Sequence, residues 1–203
     1  MQAARDHDIV LFGATGFTGA LTAEYLAEHA PAGTRWALAG RNLGKLEQLR
    51  ERLGVDVPLL KADVTDRRSI DDVAASTRVA ITTVGPYVEY GEPLVAACAE
   101  HGTDYTDLTG EPEFVDRMFL DHGKTAEASG ARIVHACGFD SIPHDLGAQF
   151  TVEHLPDDQP LRVAGYVSAG GTLSGGTFAS ALTAFGRVRQ MASAHSERLR
   201  VEG

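Results

Sequence analysis

Cysteine is scarce: Cys98 and Cys137 are the only two in 203 residues, with no Cys-x-x-Cys spacing and no histidine placed to complete a zinc set. Neither a disulfide framework nor a metal site is expected, and the usage fits a reducing cytoplasm. Positive charge is also short. Lysine and arginine number 18 against 28 aspartates and glutamates, a formal net charge of −10, and no segment supplies the basic stripe that binding along nucleic-acid phosphates demands. No nucleic-acid partner is expected. Long apolar runs are missing too: nothing approaches the roughly 18 residues of a membrane span, and the start, Met1 to Asp8, has no apolar signal core. The expectation is a cytoplasmic chain without a transmembrane segment.

Three enzyme signatures fail as well. Gly123-Lys124-Thr125 imitates the end of a P-loop, but Met118 stands where the first glycine belongs and the run lies inside a predicted helix. Ser141 lacks the Gly-x-Ser-x-Gly elbow of a hydrolase. Tyr25, Tyr87, Tyr90, Tyr105 and Tyr166 are followed four residues later by His29, Gly91, Leu94, Thr109 and Gly170, so the Tyr-x-x-x-Lys pair of short-chain dehydrogenases is absent.

What is present begins at the N-terminus. Asp8-Ile9-Val10-Leu11-Phe12 reads as a buried strand, Gly13-Ala14-Thr15-Gly16-Phe17-Thr18-Gly19 as a turn, and Phe17 to His29 as an amphipathic helix. A pyrophosphate needs backbone N–H groups at close range and gains from the positive end of a helix dipole. Gly13 suits the tight turn, Gly16 the approach of the phosphates, and Gly19 close helix–strand packing. A second strand, Arg35 to Ala39, follows at the distance a βαβ unit requires.

The end of that second strand selects the nucleotide. An NAD site usually places an acid about 20 residues past the glycines, whereas an NADP site offers a cation to the 2′-phosphate. Here the chain reads Gly40-Arg41-Asn42, with Lys45 one helical turn on. Arg41 presents a planar fork and Asn42 a further donor, which favours NADP(H). Asn42 also suits the N-cap of the helix carrying Leu43, Leu46, Leu49 and Leu53, and the two roles are compatible.

The alternation continues. Strands are expected at Val57–Ala62, Arg78–Thr83, Thr103–Leu108 and Ala131–His135, with helices after Asp66, around Pro93 to Gly102, and from Pro112 toward Gly130. The predicted class is α/β: a doubly wound Rossmann parallel sheet of about six strands, then the start of a second, incomplete α+β domain. A helix from Ser141 to about His154 precedes Pro156-Asp157-Asp158-Gln159-Pro160, where the boundary is placed. Residues 1–156 form the nucleotide-binding domain and 157–203 the truncated beginning of a substrate or dimerisation domain. That tail is read as a strand over Leu161–Val167 and a helix over Thr177–His195. Phe178, Leu182, Phe185 and Val188 on that helix would leave an apolar face that predicts a homo-oligomer.

Ligands in such sheets bind outside the carboxyl ends of the strands. Asp63 and Val64 follow strand three, where Asp63 could accept from an adenine amino group and Val64 pack on the ring; Asp63 as a simple turn acid fits equally. Gly85 and Pro86 follow strand four as a close, rigid wall for a nicotinamide, with the Tyr87 phenol at the reaction end; a plain rigid turn is the alternative. After strand six, Phe139, Asp140, Ser141 and His144 gather at a helix start, a place for proton donors beside a cofactor, although capping explains part of that pattern. Cys137 is read as a small buried hydrophobe.

Gly13 to Gly19, Ala39-Gly40-Arg41-Asn42, Val84-Gly85-Pro86-Tyr87, Tyr105-Thr106-Asp107-Leu108-Thr109-Gly110-Glu111 and Gly138-Phe139-Asp140-Ser141-Ile142-Pro143 together resemble the saccharopine dehydrogenase-like oxidoreductases, and within them the actinobacterial trans-acting enoyl reductases. The resemblance implies NADP(H), with Gly13, Thr15, Gly16, Phe17, Thr18 and Gly19 on the pyrophosphate. It further implies Arg41 and Asn42 on the 2′-phosphate, Asp63 and Val64 by the adenine, and Gly85, Pro86 and Tyr87 near the nicotinamide. It implies hydride transfer to an enoyl thioester of a polyketide or lipid precursor, with Tyr87 and His144 as candidate proton donors. His144 stands where the family pattern has serine, and members continue past Gly203. Two other readings stay open at this point: a nucleotide-binding module or redox sensor without turnover, and an amino-acid dehydrogenase of the saccharopine type.

Overall fold

A computed structural model describes residues 4–156, 158–168, 170 and 186–202. In chain order the elements are β1 (His7–Phe12), α1 (Phe17–His29), β2 (Trp36–Gly40), α2 (Leu43–Leu53), β3 (Leu59–Lys61), α3 (Arg67–Ser76), β4 (Thr77–Thr82), α4 (Tyr87–Tyr90), α5 (Glu92–His101), β5 (Asp104–Thr106), α6 (Pro112–Ser129), β6 (Ile133–Val134), α7 (Ile142–Glu153) and α8 (Val188–Glu202).

Successive side chains on a strand point to opposite faces, so a strand that is apolar at every position needs cover on both. β1 from Ile9 onward and β2 meet that condition. Val10, Phe12, Ala37 and Ala39 face one layer, with Ile70, Val73, Leu94, Val95, Tyr105 and Phe114 from α3, α5, β5 and α6. Leu11, Trp36 and Leu38 face the other, with Ala23, Leu46 and Leu49 from α1 and α2. Each fully buried leucine contributes about 1.5–3 kcal/mol over an exposed one, and Leu11, Leu38 and Leu46 are wholly inaccessible.

The six strands lie in the order β3-β2-β1-β4-β5-β6, and every pair is parallel. β1 aligns Phe12 with Ala39 on β2 and with Thr82 on β4. The direction of winding reverses between β1 and β4, and a crevice opens outside their carboxyl ends. Helix starts follow local chemistry: the Asn42 side chain accepts from Lys45 N at 3.1 Å, and Asp66 caps α3 through Ser69 N. Gly102 and Gly130, both left-handed, end α5 and α6.

The far edge departs from expectation. β6 shrinks to two residues, paired Tyr105↔Ile133 and Thr106↔Val134; among the described residues no strand covers its outer side, and Val134 stands half-exposed. The strand expected over Leu161–Val167 does not form. That stretch is irregular and exposed, Tyr166 at 96%, since an apolar run becomes a strand only where an edge pairs with it. Of the helix expected over Thr177–His195, residues 177–185, with Phe178, Leu182 and Phe185, lie outside the described residues. The described part, α8, runs on to Glu202 and keeps Val188 exposed.

α8 docks on α6 through charge. Arg187 donates to both oxygens of buried Glu113, at 2.8 and 2.7 Å, and Arg198 reaches Asp116 at 3.1 Å while lying 4.5 Å above the Phe119 ring. The Arg187 bonds hold the Glu113 carboxyl below the usual carboxylate range. A lowered value means that this attachment is complete above the ordinary carboxylate pKa and is lost as pH falls through the shifted one. Glu113→Gln is expected to speed amide hydrogen exchange in α8 about tenfold. Unchanged exchange in α8 would show that Arg198 and packing hold it alone.

Candidate functional site

The turn after β1 is built around atoms too close for a side chain. Gly13 has φ +86°, donates its N–H to Ala39 O at 3.0 Å, and would place a Cβ 2.6 Å from Val84 Cγ2. A Cβ on Gly19 would collide with the Gly13 carbonyl oxygen and stand 2.9 Å from Ala14 Cα. So Gly19 lets α1 lie on β1, and Gly13 lets the chain turn under Val84. α1 starts with no side-chain cap and no acid in its first turn. Its leading N–H groups lack intrahelical partners, which with the dipole makes an anion seat. Thr15, Gly16 and Phe17 are exposed there, and Thr18 is half-buried.

A cleft of about 730 Å³ runs across this seat from the end of β2 to the end of β4. Gly13, Thr15, Gly16, Arg41, Asn42, Val64 and Gly85 line it, as expected from sequence, together with Lys45, Thr65, Thr83 and Tyr90. Phe17, Thr18, Gly19, Asp63, Pro86 and Tyr87 do not form its wall. The Arg41 and Lys45 side chains are exposed and make no hydrogen bond or ion pair among the described residues. Asn42 spends its carboxamide oxygen on the cap and keeps its nitrogen as a donor.

Asp63 behaves as a turn acid. Its Oδ1 accepts from Thr65 N at 2.9 Å and Thr65 Oγ1 at 2.8 Å; these bonds, helped by the Arg41 and Lys61 charges, lower its pKa. Val64 and Thr65 are what that turn presents to the cleft.

At the β4 end Tyr90, and not the expected Tyr87, faces the cleft. Tyr87 is 4% exposed beneath the cleft, its hydroxyl donating to Thr82 O at 3.2 Å; burial, then the Asp107 charge, pushes its pKa above the ordinary tyrosine range. Tyr90 is the phenol on the wall. The turn itself is pinned by Glu111, whose oxygens accept from Tyr87 N at 3.0 Å and Val88 N at 2.8 Å. Sequence reasoning missed this residue. Its traces were its place in the Tyr105–Glu111 stretch of the resemblance and the acid pair Asp107 and Glu111 framing Leu108-Thr109-Gly110 directly after a strand.

Beyond β6, Ser141 stands at the N-cap of α7 without a side-chain cap bond, and the turn is closed by backbone, Ile142 N to Gly138 O at 3.0 Å and His144 N to Ser141 O at 3.0 Å. Phe139, Asp140 and His144 are exposed around that start, and none of the four lines the cleft. Cys137 is half-buried, with Sγ 3.7 Å from two carbonyl oxygens, so it is not a core residue. Among the described residues no cluster of metal-ligating side chains occurs, and no helix is long and apolar enough to cross a membrane.

Residues 9–134 match the family model of the saccharopine dehydrogenase NADP binding domain. A trans-acting enoyl reductase of Mycobacterium tuberculosis is 53% identical over 147 residues, 71% of this chain and 35% of its own. One from Mycobacterium leprae is 49% identical over 158 residues, covering 76% and 38%. The chain spans less than half the length of the curated relatives it matches. Among solved structures, apo saccharopine dehydrogenase (L-Glu forming) from Saccharomyces cerevisiae superposes with a TM-score of 0.57 at 21% identity, over 72% of this chain and 31% of that one, a likeness of fold. With the family match spanning more than half of its residues, over the same strands that build the glycine turn and the Arg41 end of the cleft, this chain belongs to the saccharopine dehydrogenase NADP-binding domain family and takes NADP(H).

Proposed function

We propose that the chain is the nucleotide-binding part of an NADPH-dependent reductase acting on an enoyl thioester of a polyketide or lipid precursor. The observation that carries this reading is one continuous cleft with a guanidinium at the β2 end, an anion seat at α1 and the Gly85 turn at β4. The named activity of the mycobacterial relatives supports the substrate class. In this reading Arg41 and Asn42 hold the 2′-phosphate, and Gly13, Thr15 and Gly16 with the first turn of α1 hold the pyrophosphate. Val64 packs on the adenine with Asp63 shaping its turn, and Gly85 and Pro86 back the nicotinamide. The bound cofactor supplies a hydride to the β-carbon.

Phe139, Asp140, Ser141 and His144 are the substrate-side group. Of the two proton-donor candidates, His144 is exposed at the start of α7, whereas the Tyr87 hydroxyl is engaged by Thr82 O. That placement supports His144 as donor and Tyr87 as a support for the turn. Residues 1–156 act as the cofactor domain and 157–203 lead into the substrate domain. The exposed Leu146 and Phe150 of α7 support self-association, and the two free thiols support a reducing cytoplasm.

A module that binds NADP(H) without turnover is the second reading, favoured by one fact: among the described residues the cleft wall contains neither a histidine nor a carboxylate. NADPH absorbance followed with a crotonyl-type thioester, and separately with saccharopine and NADP+, separates the readings. Oxidation by the thioester with His144→Ala strongly impaired is the expected result. Binding without oxidation by any acceptor would leave the module, and turnover with saccharopine would restore the amino-acid dehydrogenase.

A further inference from the structure

We propose that Glu111 is a positioning residue for the nicotinamide end of the cleft: its buried carboxylate sets the height of the Gly85–Pro86 turn by holding the first two N–H groups beyond it, and Asp107 ties that turn to the one after β6. The inference rests on the reading that places the nicotinamide against Gly85 and Pro86.

A carboxylate taken out of water is costly unless donors surround it. Of the four buried carboxylates among the described residues, two, Asp107 and Glu111, lie at the carboxyl end of β5. Asp107 Oδ1 accepts from Thr109 N and Ala136 N, each at 3.0 Å, and Oδ2 from the Tyr105 hydroxyl at 2.9 Å and His135 Nδ1 at 2.7 Å. A carboxylate only accepts, so the His135 proton sits on Nδ1. Among the described residues its Nε2 is left buried without a hydrogen-bond partner, and the ring lies against those of Tyr105 and Phe114. Thr109 Oγ1 then accepts Glu111 N at 3.1 Å, and Glu111 reaches the β4 turn at Tyr87 and Val88. The bonds run unbroken through the turns after β6, β5 and β4.

Two features say that this frame fixes geometry and does more than fill space. Ala136 is held at φ 59°, a left-handed conformation that costs a residue with a Cβ and persists only where surroundings determine it. Its N–H goes to Asp107, and Cys137 N goes to the Asp107 carbonyl at 2.7 Å. Second, Glu111 addresses consecutive N–H groups with separate oxygens, which fixes the turn's direction as well as its distance. The adenosine half of the cleft, from Arg41 to Gly16, shares none of these bonds.

That separation makes the test. Dissociation constants of NADPH and of 2′,5′-ADP, which lacks the nicotinamide half, are compared for the native protein, Glu111→Gln, Thr109→Val and Thr109→Ser. In Glu111→Gln the amide nitrogen sets a donor against a donor, so NADPH affinity falls about tenfold while 2′,5′-ADP stays within about twofold. Thr109→Val gives a smaller loss confined to NADPH, and Thr109→Ser, which keeps the hydroxyl, restores it. Should Glu111→Gln fail to fold, the valine and serine variants decide between themselves. Parallel weakening of both ligands, or unchanged NADPH binding, overturns the proposal. Native protein that binds 2′,5′-ADP well but NADPH no better overturns it through the nicotinamide placement. Native protein that binds neither overturns the cofactor site itself, and the positioning role with it.

Discussion

Gly19→Ala is expected to lower NADPH affinity by at least about a hundredfold and to lower the melting temperature by roughly 5–10 °C. The new methyl group meets the Gly13 carbonyl oxygen, Thr83 Oγ1 at 2.8 Å and Ala14 Cα at 2.9 Å. Two of those atoms belong to backbone that β1 fixes in register with β2 and β4, so the strain is relieved by lifting α1 off the sheet. Overpacking of this kind costs about 1–3 kcal/mol in stability. On the proposed placement binding suffers more, because the leading N–H groups of α1 would move away from the pyrophosphate. Gly147→Ala is the matched control. Gly147 lies inside α7 with nothing within 4 Å of a new Cβ, so alanine there gains helix propensity and leaves affinity alone. Calorimetry and thermal unfolding of the two variants check the contrast; equal behaviour would mean that the clash at Gly19 is absorbed locally.

Arg41→Ala is the second large effect. A guanidinium donating two charge-assisted bonds to a phosphate contributes about 1.5–3 kcal/mol, so NADPH affinity should fall about 10- to 100-fold, with NADH changed by less than about threefold. Lys45→Ala should cost less, since an exposed point charge is screened and poorly fixed. The NADPH preference should also weaken with added salt in the native protein more than in Arg41→Ala. Calorimetric titrations with both nucleotides check this, and equal losses for NADPH and NADH would remove the 2′-phosphate from Arg41.

Local rules carried the first half of the fold into the sequence. Glycine spacing, an apolar strand, and the exchange of an acid for Gly40-Arg41-Asn42 are short-range signals, and the cleft lies where they converge. Side-chain direction is not local. Tyr87 and Tyr90 occupy one turn, and only packing against Phe114, 5.7 Å from Tyr87 between ring centroids, decides which phenol is buried. Glu111 acts on backbone 24 residues away, a separation at which composition says nothing. Asp63 satisfies both a turn and an adenine reading, because the Thr65 bonds use only its Oδ1. Leu161–Val167 has strand composition but pairs with no sheet edge among the described residues, although the outer side of β6 is open, so its pattern promised an element that pairing did not supply.

The central claim is that the β2 end of the cleft is made for a phosphorylated ribose. Titrating the native protein with NADPH and NADH under one buffer and salt concentration tests it most directly. The account predicts NADPH binding at least about tenfold tighter, as two charge-assisted bonds require; equal affinities, or a preference for NADH, would contradict it.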